Sequence, residues 1–291
     1  MKKITVFTPT YNRGYIIDNL YRSLLRQTNR DFEWLVIDDG STDNTRELFE
    51  NRYCNTSEFT VRYYSQPNGG KCRAINRALD LAEGSLFLVV DSDDVLTDDA
   101  IEKILYWDNC LEDKEKYCGF VGNMSTVDGR TENRMSGKEY VDATLLDRYG
   151  FFDGERVYIF YTSIAGKYKY PVFDGEKFMT EAVVYNRMAH DGYKSRFYDD
   201  VICIYEYQED GLTRQGVELF LQNPRGYGLW ISEKNAFERK GLGDRIRSYY
   251  TFVCDLSARY DLKTISQCID IPLIVCFIFY CIHSIRSFFR G

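Results

Sequence analysis

The chain has 291 residues, with 37 Lys and Arg against 44 Asp and Glu and a net charge of −7. At 44% apolar and 28% charged it has the composition of a folded globular protein, which excludes a disordered chain, and five prolines and 21 glycines exclude a collagen-like or Pro-rich repeat. The acidic balance speaks against a nucleic-acid binder, which would show a basic patch. The charge is uneven: residues 225–291 hold 10 Lys and Arg against 6 Asp and Glu, or +4, leaving −11 on residues 1–224. Such an end suits an anionic surface such as a membrane, or is a solvated helix face. Nine cysteines without a CxxC pair suggest reduced thiols rather than a disulfide framework or zinc knuckle. The start, Met1 to Pro9, lacks the long apolar core of a signal peptide.

In chain order, Lys3–Thr8 is a β-branched run ended by Pro9. Tyr15–Arg26 places Ile16, Leu20 and Leu24 at helical spacing. Glu33–Ile37 is an apolar strand stopping at Asp38-Asp39-Gly40. Asn44-Thr45-Arg46-Glu47 reads as a capping box with Asn44 as the cap. Thr60–Tyr64 is strand-like and is broken by Gln66-Pro67-Asn68-Gly69-Gly70. A helix follows over Arg73–Ala82, and Leu86–Val90 is a fully apolar strand. Thr97 is the expected cap of the next helix. Strands alternating with helices predict an α/β fold with a parallel sheet covered on both faces, which binds ligands at the carboxyl ends of its strands. That edge would hold Thr8–Arg13, Asp38–Asp43, Pro67–Arg73 and Asp91–Asp94.

After about residue 125 the pattern weakens. Residues 125–178 are rich in aromatic and loop residues, Phe178–Met188 resumes a helical spacing and Tyr198–Tyr207 is strand-like. Trp230–Tyr260 reads as one long helix or two, interrupted at Gly241–Gly243. Ile271–Ile282 is an uncharged apolar run flanked by Arg286, Phe288, Phe289 and Arg290. It is too short to span a bilayer, which takes ~20 residues. It suits a membrane interface, or else a buried helix.

Asp91-Ser92-Asp93-Asp94 delivers three carboxylates in four residues to a strand end. Carboxylates so crowded repel each other unless a cation sits among them, and hard oxygen ligands suit Mg²⁺ or Mn²⁺ completed by substrate phosphates. The alternative is an acidic turn that caps a helix. Asp38-Asp39-Gly40-Ser41 repeats the arrangement, either to accept from a nucleobase or ribose or as an Asx-turn. Asn68-Gly69-Gly70-Lys71-Cys72-Arg73 allows close backbone approach to a phosphate, with Lys71 and Arg73 as charge partners, although it is not a P-loop. With only two histidines, His190 and His283, nucleophilic catalysis based on His has little to work with.

Thr-Pro-Thr-Tyr-Asn-Arg (residues 8–13), Ile-Asp-Asp-Gly-Ser-Thr-Asp-Asn-Thr (37–45) and Asp-Ser-Asp-Asp (91–94), in this order, resemble the signatures of the family 2 glycosyltransferases of the GT-A fold, bacterial surface-polysaccharide type. The match covers residues 3–125. The resemblance implies a Rossmann-like, mostly parallel sheet with helices on both faces, an acceptor-side region and C-terminal helices. The implied division is a nucleotide-sugar-binding half over 1–125, an acceptor-binding half over 126–225 and a helical extension over 226–291. Thr8, Pro9 and Tyr11 would line the nucleotide pocket, and Asp39 would read the base with Asp38 supporting it. Gly70, Lys71, Asp91 and Ser92 would complete the donor site, and Asp93 would be the principal ligand of Mn²⁺ or Mg²⁺. Phe173–Glu181 resembles an acceptor-side motif in which Glu181 is the general base, with Asp174 and Glu176 as rivals. Tyr207–Thr213 and Asn223–Tyr227 are similar to the same branch.

The implied reaction is a metal-dependent, inverting transfer from a nucleotide sugar, UDP-linked by preference, to a saccharide or lipid-linked acceptor of surface polysaccharide synthesis. The implied site is cytoplasmic, with peripheral contact to the inner face of the membrane through the C-terminal segment. A sugar-phosphate nucleotidyltransferase is the main alternative. Pro-Thr-Tyr-Asn-Arg stands where that class carries a Gly/Arg/Lys-rich loop. A non-catalytic nucleotide-sugar-binding protein is the other alternative, against which the intact acid set argues.

Overall fold

The computed structural model describes residues 3–131, 138–147, 154–208, 211–238 and 241–289. The chain divides into two compact units, Met1–Lys169 with Arg187–Glu209, and Tyr170–Asn186 with Asp210–Gly291. The boundary expected after residue 125 falls inside a strand of the first unit, and that after 225 falls inside a helix of the second.

The first unit runs β1 (Ile4–Thr10), α1 (Ile17–Arg26), β2 (Phe32–Asp38), α2 (Thr45–Asn51), β3 (Thr60–Ser65), α3 (Lys71–Leu81), β4 (Leu86–Val89), β5 (Val95–Leu96), α4 (Ala100–Cys110), β6 (Tyr117–Thr126), β7 (Tyr140–Ala143), β8 (Arg156–Tyr161) and α5 (Thr162–Ala165). Helix α6 (Ala182–His190) crosses the division, and β9 (Lys194–Tyr205) completes the sheet. The strand order is β3-β2-β1-β4-β8-β6-β9-β5, with β7 on β9. The pairings β3-β2-β1-β4 are parallel, as the alternating sequence requires. Beyond β4 the sheet becomes mixed: β8 is antiparallel to β4 and β6, and β9 is parallel to β6.

Both faces of the parallel half are covered. Ile4, Val6, Trp34, Val36 and Leu88 share one apolar cluster with Ile17, Leu20 and Leu24 of α1 and Ile101 and Ile104 of α4. The alternate residues turn to the other face, where Phe7 stacks on Phe87 at 5.4 Å and α3 packs on β1 and β2. That face also buries Glu33. Its carboxylate accepts from Thr5 Oγ1 at 2.7 Å, from the Glu83 N–H at 2.8 Å and from Arg62 at 2.9 Å. Arg62 in turn donates to the Leu81 carbonyl at the end of α3, so a buried ion pair pins that helix to the sheet.

Pro9 does not end β1, which continues to Thr10. The Phe7 carbonyl accepts from Val90, so this parity of β1 faces β4. Pro9, two residues on, therefore faces the side where β4 pairing has already stopped at Val89, and its missing N–H costs no ladder bond. Two expected caps are not made. Asn44 contributes no side-chain cap to α2. Asp43 instead accepts from the Thr45 N–H and hydroxyl at 3.0 and 2.6 Å. Likewise α4 begins after Asp99, and the Thr97 hydroxyl donates to the Asp99 carboxylate rather than receiving a helix N–H. At α2 the Asp43 carboxylate takes the first-turn N–H of Thr45, and at α4 no side chain caps the helix.

The second unit contains α7 (Leu212–Gln215), α8 (Val217–Gln222), α9 (Pro224–Phe237), α10 (Leu242–Leu256), α11 (Leu262–Ile269) and α12 (Leu273–Phe288). The break expected near Gly241–Gly243 separates α9 from α10. Tyr227, Phe252, Val253, Leu256, Ile265, Ile269 and Cys276 form its core. A Cβ on Gly228 of α9 would lie 2.0 Å from the Cys268 carbonyl oxygen of α11, so this glycine sets the helix approach.

Removing one partner of a buried ion pair costs about 3–5 kcal/mol, so Arg62→Met is expected to destabilise the first unit by about 3 kcal/mol. Urea unfolding followed by tryptophan fluorescence measures it. A loss below about 1 kcal/mol, the range of an exposed pair, would show that Glu33 gains no stability from Arg62.

Candidate active site

Strands β1 to β4 run parallel, so their carboxyl ends deliver four loops to one edge of the first unit. The loops are tied in series. Asn12 takes the left-handed conformation, φ 54°, which an asparagine tolerates better than most residues. Its N–H donates to Ser41 Oγ at 2.9 Å and its side-chain oxygen accepts from the Thr42 N–H at 2.7 Å. The Gly14 N–H donates to Asp43 at 2.9 Å. Burial alone would raise the Asp43 carboxyl, but the bonds from Thr45 and Gly14 hold it below its ordinary value. The first two signature segments are thus one hydrogen-bonded unit.

Asp38 and Asp39 tie the second loop to the third. Asp38 accepts from the Ser41 N–H at 2.7 Å and from the Tyr63 hydroxyl. Asp39 is 5% exposed and accepts from Gln66 Nε2 at 2.8 Å, the Gly69 N–H at 2.9 Å and the Gly70 N–H at 2.6 Å. Gly40 sits at φ +85°, where an added Cβ would come 2.9 Å from the Asn68 nitrogen, so the close turn needs glycine. Gly70 sits at φ 92° and opens α3, which places Lys71 on its first turn.

Lys71 Nζ lies 2.8 and 2.9 Å from the two carboxylate oxygens of Asp91, which joins the third loop to the fourth. Beyond that pair the acids crowd one another. Burial first, then Asp91, raises the Asp93 carboxyl above its usual value. Asp94 is half-buried; loss of solvation first, then the charges of Asp91, Asp93 and Glu155, push it up to about 8 against the pull of Lys71. Among the described residues no three His, Cys, Asp or Glu side chains form a metal cage by themselves. The donor set instead fits a hard divalent ion held by one or two carboxylates, with phosphate oxygens and water completing its shell. Asp91, Asp93 and Asp94 are the residues able to hold it.

Of the other expected donor residues, Ser92 is buried, Tyr11 is 48% exposed, and Thr8 is fully buried with its hydroxyl accepting from Trp34 Nε1 at 3.0 Å. Pro9 lies in the strand just before the loop. Thr8, Pro9, Tyr11, Asp38, Asp39, Gly70, Lys71, Asp91, Ser92 and Asp93 therefore all belong to one unit and one set of strand ends. Several contributors were missed in the sequence: Tyr63, Gln66, Asn12 and Glu155. Asn12 had a signal, its place within a signature beside a glycine. Glu155, just before β8 and hydrogen-bonded by the Tyr207 hydroxyl at 3.0 Å, had none, because only the folded sheet brings it to Asp94.

The acceptor-side candidates lie in the second unit. The Glu176 carboxylate accepts from the Arg225 and Gly226 N–H groups at 2.8 and 2.9 Å and pairs with the Arg225 side chain at 3.3 Å. It therefore satisfies the first turn of α9. Asn223 accepts from the Lys177 and Phe178 N–H groups at 2.8 and 3.1 Å, and Asp174 is exposed, its carbonyl accepting from Arg225. The two segments flagged as acceptor-side, 173–181 and 223–227, are thus braced on each other. Glu181 stands just before α6 and accepts from the Tyr185 hydroxyl at 2.9 Å. Glu209 and Asp210 of the third such segment lie outside the described residues.

A parallel sheet whose strand ends gather acids, a glycine turn and a lysine is the layout of enzymes that bind phosphorylated nucleotides. Residues 5–172 match the model of Glycosyl transferase family 2, and the chain belongs to that family. Among its relatives are a chondroitin synthase of Pasteurella multocida, 38% identical over 41% of this chain and 12% of that protein, and glycosyltransferase GlyG of Streptococcus pneumoniae, 31% identical over 47% of this chain and 45% of that protein. A GalNAc(5)-diNAcBac-PP-undecaprenol beta-1,3-glucosyltransferase of Campylobacter jejuni is 27% identical over 73% of this chain and 68% of that protein. The chain thus spans well under two thirds of the first two relatives' length. The fold matches S. aureus TarS, solved with UDP-GlcNAc, with a TM-score of 0.62 at 20% identity over 87% of this chain and 81% of that one. It also matches a Pyrobaculum calidifontis mannosyltransferase, solved with GDP-Man and Mn²⁺, with a TM-score of 0.56 at 17% identity over 95% of this chain and 86% of that one.

Asp39→Asn replaces an acceptor of three bonds by a group that must turn a donor toward N–H groups. Leaving a buried donor unsatisfied costs about 1–3 kcal/mol, and that loss is expected in urea unfolding of the ligand-free protein. Unchanged stability would mean that Asp39 serves a ligand and not the loop.

Proposed function

We propose that the protein is a metal-dependent, inverting glycosyltransferase that moves a sugar from a nucleotide-diphosphate sugar to a saccharide or lipid-linked acceptor in cell-surface polysaccharide synthesis. The observation that carries the reading is the crowded acid set of Asp91, Asp93 and Asp94 beside Lys71, at the strand ends where the three signature segments and the Gly69–Gly70 turn interlock. The names of the relatives support the polymer and lipid-linked acceptor classes. A UDP-sugar is the donor we favour; the folds it shares were solved with both UDP- and GDP-sugars.

Mn²⁺ or Mg²⁺, when bound, neutralises the leaving diphosphate. The chain's own residues do the rest. Asp93 and its neighbours hold their carboxylates at the strand end, with Lys71 positioned by Asp91. The Gly69–Gly70 turn, fixed by Asp39, brings backbone close to the phosphates. Pro9 and Tyr11 border the base; Thr8, expected beside them, is fully buried and bonded by Trp34, so it supports the strand end and does not line the pocket. Glu181, held by Tyr185, takes the acceptor hydroxyl proton as that oxygen attacks the anomeric carbon. Glu176 is a poorer base because α9 already occupies its oxygens. One displacement inverts the anomeric configuration. The enzyme works at the cytoplasmic face of the membrane, with the C-terminal segment in peripheral contact.

Calorimetric titration of UDP, GDP and their sugar conjugates, with Mn²⁺ and with chelator, tests the donor and the metal together. Metal-dependent binding of one diphosphate is expected in wild type and lost in Asp93→Ala, with turnover falling about 100-fold or more. Glu181→Gln is expected to keep diphosphate binding while kcat falls about 100- to 10,000-fold. Full activity in either variant would remove that residue from the mechanism.

A further inference from the structure

Helix α12 is apolar on two opposite sides, and folding covers only one. Cys276 is fully buried, and Phe279 packs with it on the core of the second unit. On the other side Ile274, Phe277, Ile278, Ile282 and Ile285 are between 38% and 64% exposed, and Phe288 and Phe289 beyond them exceed 80%. At 100° per residue these positions fall in one continuous stripe along the helix. A soluble domain rarely leaves so long a row of large apolar side chains in water.

The charges around the stripe say what covers it. From Leu273 to Phe288 the helix has no acid, and its one permanent charge is Arg286. The Arg286 guanidinium stands 5.5 Å from the Tyr250 ring of α10, which also meets Phe279 at 5.8 Å. Arg247, exposed three residues before Tyr250 on the same helix, adds positive charge, with Asp244 one turn further back opposing it. Arg290 lies outside the described residues. A second copy seated symmetrically on this stripe would bring like charge to like. An anionic lipid surface meets both features, taking the apolar stripe into the acyl boundary and the arginines among its headgroups.

We propose that α12 is an in-plane membrane anchor: its Ile274–Ile285 stripe enters one leaflet of an anionic bilayer and Arg286 and Arg247 contact the headgroups. Lying in the interface fits better than crossing. No single helix among the described residues is long and apolar enough to span a membrane. The pair that would pass by length, α11 with Leu273–Arg286, is bent by 118°, and α11 keeps Ile265 and Ile269 in the protein core. The inference deepens the membrane part of the proposed function. Its test uses neither donor nor acceptor, so its failure would leave the transfer chemistry standing.

The test is flotation of the full chain with phosphatidylcholine vesicles, with and without phosphatidylglycerol. Binding is expected only to the anionic vesicles and is expected to fall at high salt. The triple variant Ile274→Asp/Phe277→Asp/Ile285→Asp is expected to bind at least about tenfold more weakly with an unchanged thermal midpoint, since these side chains are exposed. Phe288→Asp/Phe289→Asp, beyond the packed part of the helix, gives the same readout if the triple variant misfolds. Arg286→Gln is expected to weaken binding about fivefold. Equal binding by the apolar variants, or no flotation, overturns the proposal. So does retention on the vesicles through alkaline carbonate, which would mean a span, or self-association abolished by the same variants without vesicle binding, which would mean a second copy.

Discussion

The Asp39 carboxylate is the interaction on which the candidate site depends. Strand β2 ends there, and its three bonds reach into the turn after β3. That turn starts α3, and α3 presents Lys71 to Asp91 after β4. A buried carboxylate must have its oxygens satisfied, and here backbone N–H groups of a neighbouring loop satisfy them. The requirement fixes that loop in place. Asn12 and Asp43 do the same between the first and second loops. Four loops that share no strand are thereby held as one rigid edge, which precise placement of a diphosphate needs.

Against this satisfied framework the Asp91–Asp94 segment is unlike its surroundings. Asp38, Asp39 and Asp43 are surrounded by donors. Asp93 and Asp94 are half-buried among other acids, which Lys71, and for Asp93 also Arg13, only partly offset, so their proton affinity rises. Such repulsion destabilises the folded chain unless a ligand relieves it. The parallel half of the sheet, with its apolar faces under α1, α3 and α4, supplies the packing that tolerates it. Stability thus sits in the strands and electrostatic tension at their ends, a division that suits binding of a cation with an anionic leaving group.

The parallel half and its loops were legible because its β-branched, aromatic or apolar strand stretches alternate with helical spacing, and β2 and β4 run straight into acids. The residue types at those ends also carry the chemistry. The mixed half was not legible. Arg156–Tyr161 is a strand-forming run of aromatic and β-branched residues, yet it lies in a stretch whose aromatics look alike whether they pack in strands or in loops. Its antiparallel insertion between β4 and β6 depends on long-range pairing, which local pattern does not record. Caps failed for a nearer reason. Asn44 and Thr97 have the right residue type, but Asp43 takes the Thr45 N–H, and α4 starts two residues past the place that Thr97 would cap.

The same reasoning separates the carboxylates of the second unit. The sequence resemblance favours Glu181 as the base and leaves Asp174 and Glu176 as rivals in the same acidic segment. Folding makes them different. Glu176 receives two backbone N–H groups at the start of α9 and the Arg225 side chain, bonds that removing or protonating it would forfeit. A group whose oxygens are committed to a helix terminus is a poor proton acceptor for a substrate, because taking the proton would sacrifice those bonds. Glu181 accepts from the phenolic hydroxyl of Tyr185, one turn along the same segment. A hydroxyl contact of that kind orients a carboxylate without engaging the backbone of a helix terminus. The proposal of Glu181 over Glu176 therefore rests on the commitment of Glu176 to the start of α9, which the bracing of 173–181 on 223–227 makes visible.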